Sequence, residues 1–328
     1  MGPVLVVGAT GQLGTAVVRN LSKAGARVRA LVRPASPRAF GTDDSVELAF
    51  GDLREPESLV AACHGVASVV ATANVVVPRG DYGFEEVEAT GYDNLLDACK
   101  AEGVGRIVFM SVPVTAYDKS VTTFRMKRGI EERIQASRIA HAIFRGSLFM
   151  DEWFALMGSS IPLRGAEAAT LRRPFWFSRG FLALTGAAID RRGIALVPGT
   201  GRARHAFVAC EDVAAFLSKA AMESGASPNL VENLGGPQVL SFDDVVGIFK
   251  RVLGRPIRKL HTPAKVYRIL ADLLEPMSPA AGNLMAMSWA MSIAETPFDT
   301  AELARRFGVR LTSAEEFLRA KAALPAEA

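Results

Sequence analysis

Short apolar runs alternate with amphipathic stretches of helical length along the first 150 residues. Val4–Val7 is a run of four apolar residues, and Leu13–Ala24 repeats its apolar positions every three or four residues, as one face of a helix does. The same pattern predicts further strands at Arg27–Val32, Val46–Phe50, Ser68–Ala71, Arg106–Ser111 and Ala140–Arg145. Helices are expected at Ser58–Cys63, Phe84–Glu102 and Thr123–Ser137. Valine-rich runs without polar alternation suit strands covered on both faces, and such strands are parallel and joined by right-handed helical crossovers. The expected fold is therefore α/β, a doubly wound parallel sheet.

Beyond about residue 150 the alternation stops. Trp153–Ala188 is rich in aromatics and glycine and carries the basic pairs Arg172–Arg173 and Arg191–Arg192. Strands are read at Ile194–Val197, Phe207–Val208 and Asn229–Leu234, and helices at Val213–Met222, Phe242–Leu253 and Lys265–Leu274. Pro276–Ala294 is uncharged, but it holds Pro279, Gly282, Asn283 and several serines. A membrane span needs roughly 20 strongly apolar residues, so this stretch reads as a buried or pocket-lining helix. Residues 1–150 are expected to form a Rossmann domain. Residues 151–328 should be mainly a smaller substrate-binding cap on the carboxyl edge of the sheet, with about 194–222 returning to the Rossmann core.

Composition narrows the function classes. The chain has 328 residues, 22% charged and 49% hydrophobic, enough apolar material for one large core and an elaboration. Its net charge of +4 includes no block of like charges, which argues against a nucleic-acid partner. Cys63, Cys99 and Cys210 are far apart in sequence and odd in number, which suits buried thiols in a reducing, cytoplasmic setting. The histidines at 64, 141, 205 and 261 share no metal-ligand spacing, so no metal is expected. The first strand begins at about Pro3, leaving no room for a signal peptide before it.

The segment VLVVGATGQLGTAVV, residues 4–18, carries the strongest chemical signal. Gly8 permits a tight turn, Gly11 allows close approach of backbone to phosphate, and Gly14 lets the helix pack near the strand. Free amides at the helix start then face an anion, so Gly8, Thr10, Gly11, Gln12, Leu13 and Gly14 form a candidate dinucleotide loop. A plain strand–helix turn would use the same glycines; position after the first strand favours the cofactor. Arg33 stands roughly 20 residues beyond the loop, where an acidic residue would hold the ribose of NAD. A guanidinium there suits the 2′-phosphate of NADPH, with Arg38 assisting, although a solvated arginine is the plain alternative. Asp52 and Leu53, in the GDL that closes the third strand, are candidates to bond the adenine amino group and pack on its ring. Thr72, Ala73 and Asn74 close the fourth strand, beside the expected ribose of the nicotinamide half.

GATGQLG, ALVR, GDL, GYDNLLDACKAEGVGRIVFMS and FRGSLFMDEW, taken with their spacing, resemble the atypical short-chain dehydrogenases of the NmrA-like and isoflavone-reductase-like group. HAFVACEDVAAFL and ENLGGPQVLSFDDVVGIFKRVLGRPI resemble the second half of the same group, so the likeness runs to about residue 260. It implies an NAD(P)H-binding fold and, in most enzymatic members, NADPH-dependent reduction of a carbonyl or an activated double bond. Ordinary short-chain dehydrogenases place a tyrosine four residues before a lysine on one helix face. In TTFRMKRGIEERI the lysine is Lys127, but Thr123 stands where the tyrosine would be, and a threonine hydroxyl is a poor acid. By the resemblance Lys127 would bond the nicotinamide ribose and polarise or protonate the substrate oxygen, with burial able to lower its pKa. The plain alternative is a surface lysine beside Arg125 and Arg128.

Ser111 matches the superfamily's active-site serine and either donates to a substrate oxygen or caps the strand. Tyr117 is the nearest phenol that could replace the missing donor, or it is a packing residue; His205 lies in a loop that often faces cofactor or substrate. Phe149, Met150 and Trp153 match the segment that borders the nicotinamide, so they are the candidate substrate residues. Phe175, Trp176 and Phe177, with Met285, Met287 and Met291, would complete an apolar cavity or simply be core. Two functions from different classes follow: an NADPH-dependent reductase of a small apolar carbonyl, quinone or enone, or a binding protein that senses NADP(H) and relays it. A sugar-nucleotide epimerase is disfavoured because that chemistry leans on the absent tyrosine. The chain is expected to be a monomer or homodimer without a membrane span.

Overall fold

The computed structural model describes residues 2–33, 46–75, 82–166, 168–172, 180, 183, 185–223 and 227–325. Arg38 and the Phe175–Trp176–Phe177 cluster lie outside the described residues.

Seven strands form the main sheet in the order β3-β2-β1-β4-β5-β6-β9. They are β1 (Val4–Val7), β2 (Val28–Val32), β3 (Val46–Phe50), β4 (Ser68–Ala71), β5 (Arg106–Ser111), β6 (Ala140–Gly146) and β9 (Leu230–Leu234). The pairs from β3 through β6 are all parallel, with Val4 opposite both Val28 and Ser68. Each central strand is covered on both faces, which is why its residues read as unbroken apolar runs. The crossovers are α1 (Gln12–Lys23), α2 (Pro56–Cys63), α3 (Gly91–Ala101) and α4 (Thr122–Ala136). From β1 the chain builds outward to β2 and β3, then returns to the other side of β1 with β4. That reversal puts the topological switch point at the carboxyl ends of β1 and β4.

The helix read as continuous from Phe84 is not uniform. Its first part, Glu85–Thr90, is π-wound and runs directly into α3. Sequence periodicity cannot show this, because one extra residue per turn shifts the buried face without changing the composition. Cys63 and Cys99, remote in sequence, meet across α2 and α3 with their sulfurs 4.0 Å apart, and all three cysteines are free, buried thiols.

Contacts divide the chain into two compact units. The first holds residues 1–114, 122–145 and 213–232, and the second holds 115–121, 146–212 and 233–328. Segment 213–232 is fastened to the first unit by specific bonds. The Ser68 hydroxyl donates to Ala221 O at 2.7 Å, and buried Arg106 donates to Ser227 O at 3.0 Å and pairs with Glu223. The return to the sheet therefore involves residues from 213, not from about 194. β7 (Ile194–Pro198) instead pairs in parallel with β11 (Arg258–Thr262), a strand absent from the sequence reading. Its residues RKLHT are mostly exposed and carry no apolar run to announce them. The strand expected at Phe207–Val208 is displaced: β8 (Arg204–His205) pairs with β10 (Leu240–Ser241), while Val208 makes only an isolated bridge to Phe149.

The second unit also contains α5 (Met150–Leu156), α7 (Phe242–Leu253), α8 (Ala264–Leu274), α9 (Pro279–Met291), α10 (Ala301–Phe307) and α11 (Ala314–Ala323). Helix α6 (Cys210–Met222) begins in the second unit and ends in the first. Ser241 and Ser313 start α7 and α11 with capping boxes to Asp244 and Glu316. Phe154 is at the centre of this unit's core, with Phe207, Phe249 and Phe317 around it at 5.2–6.1 Å between ring centres.

Candidate functional site

The glycine loop has the conformation its sequence implies. Gly8 lies at φ +87°, and a Cβ there would fall 2.6 Å from Ala73 N, so both conformation and space demand glycine. A Cβ on Gly14 would sit 2.1 Å from Gly8 O, which fixes the close approach of α1 to β1. Gly11 differs. Its φ is −82°, and the nearest atom to an added Cβ is Gly8 O at 3.3 Å, so packing within the protein does not by itself require glycine here. Gly11 is the N-cap of α1, with no side-chain cap and no acidic residue in the first turn. No side chain of the first turn therefore offsets the positive end of the helix. Thr10, Gln12 and Leu13 are half-buried along the same turn.

The loop after β4 lies against this turn. Thr72 bonds Val7 O through its amide at 2.9 Å and its hydroxyl at 3.0 Å, while Asn74 is exposed. Gly8, Thr72 and Ala73 therefore meet at the switch point.

Behind that loop is Lys127, and it is not a surface lysine. Its side chain is 3% exposed, and Nζ lies 3.1 Å from Glu88 Oε2 and donates to Ala73 O at 3.4 Å. The ammonium also stands 5.1 Å from the centre of the Phe109 ring and 5.6 Å from that of Tyr92. Glu88 is fully buried, and its other oxygen accepts from the Val75 amide at 2.7 Å. The Tyr92 hydroxyl donates to Ala73 O at 2.6 Å; burial, then the Glu88 charge, pushes its phenol well above the ordinary value. Thr123, one turn before the lysine, is buried too. Glu88 escaped the sequence reading because it sits in EEVEAT, where Glu85 and Glu86 are exposed and an acid looks solvated.

Ser111 is engaged elsewhere in the same unit. Its hydroxyl donates to Glu131, which also pairs with Arg128 at 2.5 Å and Arg145 at 2.7 Å. Arg128 closes the group by donating to Val112 O. Serine and carboxylate are both nearly fully buried.

At the ends of β2 and β3, Arg33 and Arg54 flank the Tyr82 ring, their guanidinium carbons 4.8 and 3.6 Å from its centre. The Tyr82 hydroxyl donates to Asp52 at 2.8 Å, and Arg54 donates to the same carboxylate through Nε at 3.0 Å and its amide at 2.9 Å. Burial pushes the Asp52 carboxyl up, but the bonds from Arg54 and Tyr82 outweigh it and hold it below the ordinary value. Leu53 is core, buried against Gly91. Asp52 thus spends its oxygens on Arg54 and Tyr82. Arg54 directly follows GDL and was a visible but unused signal; Tyr82 gave none.

The remaining candidates belong to the second unit. Tyr117 packs edge-on against Trp289, with ring centres 5.0 Å apart. Met150 is core, its amide bonded to Val208 O, while Phe149 and Trp153 are half-buried and Trp153 packs on Phe242. His205 is fully buried, with one ring nitrogen 2.9 Å from Thr296 Oγ1 and the other 3.0 Å from Met291 O. Burial pushes its pKa down to about 4, so it is a neutral core residue. Met291 is buried, and Met285 and Met287 are half-buried. A cavity of about 280 Å³ is lined by Gly236, Pro237, Val239, Phe298 and Leu311 among others, and by none of Phe149, Met150 and Trp153. Among the described residues there is no metal-binding cluster, and no helix is long and apolar enough to cross a membrane.

Comparison with known proteins adds four findings. The profile described as the NmrA-like family matches residues 2–296. A photosystem II assembly factor of Cyanophora paradoxa is 34% identical over 43% of this chain and 44% of its own length. The NAD(P)H azoreductase of Xenophilus azovorans is 28% identical over 78% of this chain and 75% of its own. The match thus spans less than half the length of the first curated relatives. The NADPH-dependent quinone oxidoreductase of Escherichia coli, solved with NADPH, superposes with a TM-score of 0.70 at 19% identity, covering 96% of this chain and 98% of that one. At that identity the likeness is one of fold.

Proposed function

Because the chain belongs to the NmrA-like family, we propose that it is an NAD(P)H-dependent oxidoreductase of the atypical short-chain type. Its proposed substrates are small apolar carbonyls, quinones or activated double bonds. The observation that carries this reading is local to the switch point. A glycine loop with an open helix terminus and a buried lysine are held on the two sides of one short segment, Thr72–Ala73. The loop fits a pyrophosphate: Gly8 and Gly14 make the turn, and Gly11 leaves room beside the helix amides. A bound nicotinamide nucleotide would supply the hydride.

The chain's own residues supply position and charge. Glu88 and the Ala73 carbonyl fix Lys127 Nζ at one point. Thr123 is buried and is a poor acid, so Lys127 is the proposed source of the proton or of the positive field at the substrate oxygen. Arg33, exposed at the end of β2 and joined there by Arg54 around Tyr82, supports a preference for NADPH over NADH.

The test is NADPH consumption with a panel of quinones, enones and aldehydes. Lys127→Ala is expected to abolish turnover while nucleotide affinity is largely kept. Arg33→Ala is expected to raise the Kd for NADPH about tenfold more than that for NADH, the loss of one charge-assisted contact. Equal loss for both nucleotides refutes the NADPH assignment.

A second reading has its own support. Lys127 and Ser111 both spend their polar groups inside the protein, as suits a chain that binds NADP(H) and reports its state without turnover. Tight binding of both nucleotide forms with no consumption on any substrate, unchanged by Lys127→Ala, decides for that reading.

A further inference from the structure

Two of the three cysteines are neighbours in space. Cys63 is the last residue of α2, and Cys99 stands in the last turn of α3. They are 36 positions apart in the chain, yet their sulfurs lie 4.0 Å from each other, and both are free, fully buried thiols. A disulfide bond is about 2.05 Å long, so the sulfurs stop about 2 Å short of bonding. Between two packed helix ends, side-chain rotation and a small shift can close that gap.

A buried cysteine by itself behaves as a small apolar residue; the surroundings of this pair are those of a reactive one. The thiolate is the nucleophile, and the C-terminal end of a helix disfavours it. Arg29, on β2, offsets that end. Its guanidinium donates to Ala62 O at 2.8 Å and to His64 O at 2.7 Å, the carbonyls on either side of Cys63. The contact with Cys99 lowers the Cys63 thiol below its ordinary value, and Arg29 adds to the lowering, while burial and the Glu102 charge oppose it. The same contact, with burial, pushes Cys99 up, so Cys63 ionises first. The surface is one residue away: the His64 side chain is 84% exposed, and its ring pairs with Glu102, just past α3, at 2.9 Å. Helix ends open more readily than helix interiors. Cys210 is the contrast, because burial and then the charges of Asp151, Glu211 and Glu152 push its thiol well above the ordinary value.

We propose that Cys63 and Cys99 are a modification site, oxidised by a hydroperoxide to a reversible disulfide that fastens α2 to α3. The Cys63 thiolate attacks one peroxide oxygen and breaks the O–O bond, giving a sulfenic acid and releasing the other oxygen as water. The Cys99 sulfur gives up its proton and attacks the Cys63 sulfur, and the hydroxyl leaves with that proton as a second water. Two thiols and one hydrogen peroxide thus become one disulfide and two waters, the sulfurs losing the two electrons that the peroxide gains. A dithiol reverses the bond by exchange.

Peptide mapping of the full chain tests this. The folded protein is treated with hydrogen peroxide, then unfolded with iodoacetamide, digested and read by mass spectrometry. The expected product is the Cys63 peptide joined to the Cys99 peptide and short of two hydrogens, with Cys210 alkylated; dithiothreitol returns all three thiols. The oxidised protein should melt several degrees above the reduced one, because the bond constrains the unfolded chain. In Cys99→Ser, dimedone is expected to trap a sulfenic acid on Cys63, at a rate about tenfold that on Cys99 in Cys63→Ser. Should a variant fail to fold, the wild-type map decides alone. Both thiols recovered alkylated, a bond that forms only in urea, or a link to Cys210 overturns the proposal. An oxidised protein that melts no higher than the reduced one overturns the fastening of the two helices, and faster trapping at Cys99 overturns the order of attack.

Discussion

The two units treat their buried polar groups differently. In the first, Lys127, Glu88, Tyr92 and the Ala73 carbonyl are grouped behind the loop at the switch point, so burial and placement coincide at the sheet's carboxyl edge. In the second, His205 is just as buried and just as well bonded, but it is enclosed by Thr296, Met291, Phe207 and Phe242 in the aromatic core. The difference teaches that a buried titratable side chain is a functional candidate by where the topology puts it. Burial alone does not distinguish a site residue from a core residue.

Experiments can break or sharpen that contrast. The largest effect is expected at Gly14. Gly14→Ala drives a Cβ into Gly8 O, which backbone cannot yield, and nucleotide binding should vanish in calorimetry as the melting temperature drops sharply. Gly11→Ala is the matched control: the melting temperature is retained while nucleotide affinity falls at least tenfold, on the order of 1.4 kcal/mol. Similar affinity in the Gly11 variant would sink the phosphate-loop assignment.

Glu88 comes next. Glu88→Ala leaves the Lys127 ammonium buried without its partner and should cost about 3–5 kcal/mol in denaturant unfolding. Replacing both members, Glu88→Leu/Lys127→Met, should recover most of that stability and none of the turnover. An active double variant would remove Lys127 from the mechanism.

The core histidine gives the smallest effect and the opposite signature. Its folded pKa, about 4, lies below the ordinary 6.5, so the unfolded chain takes up the proton first. The stability that neutral His205 contributes is present above about pH 6.5 and is lost as pH falls toward 4, at most about 3 kcal/mol. His205→Gln should flatten that slope without altering NADPH binding; a loss of binding would return His205 to the candidate list.

Much of the fold was legible because its signals are local. β1, β3, β4 and β5 have the ends that the sequence pattern predicts; β1, β4 and β5 are buried almost throughout, as strands covered on both faces are, while β3 lies at the edge of the sheet and is half exposed. The π-wound start of the third crossover, the exposed strand β11 and the starting point of the return to the sheet were not legible. Each depends on what a distant segment packs against. Among the site residues the glycine loop was readable for the same local reason. Arg33 was readable as a strand end, but its stacking on Tyr82, shared with Arg54, was not. Asp52, Leu53, Ser111 and Tyr117 all lie on the expected elements, yet each has a partner inside the protein that no spacing rule discloses.

By itself the sequence determined the alternation of strands and helices over the first 150 residues, the tight turn after β1 and the lysine on α4, because backbone conformation and apolar periodicity are set within a few residues. The tertiary structure decided which of three neighbouring glutamates meets that lysine and which histidine is merely core. It also decided that the helix Ala264–Leu274 keeps Val266, Ile269 and Leu273 exposed. Those outcomes rest on desolvation and pairing between segments far apart in the chain, and such energies exist only once the segments are brought together.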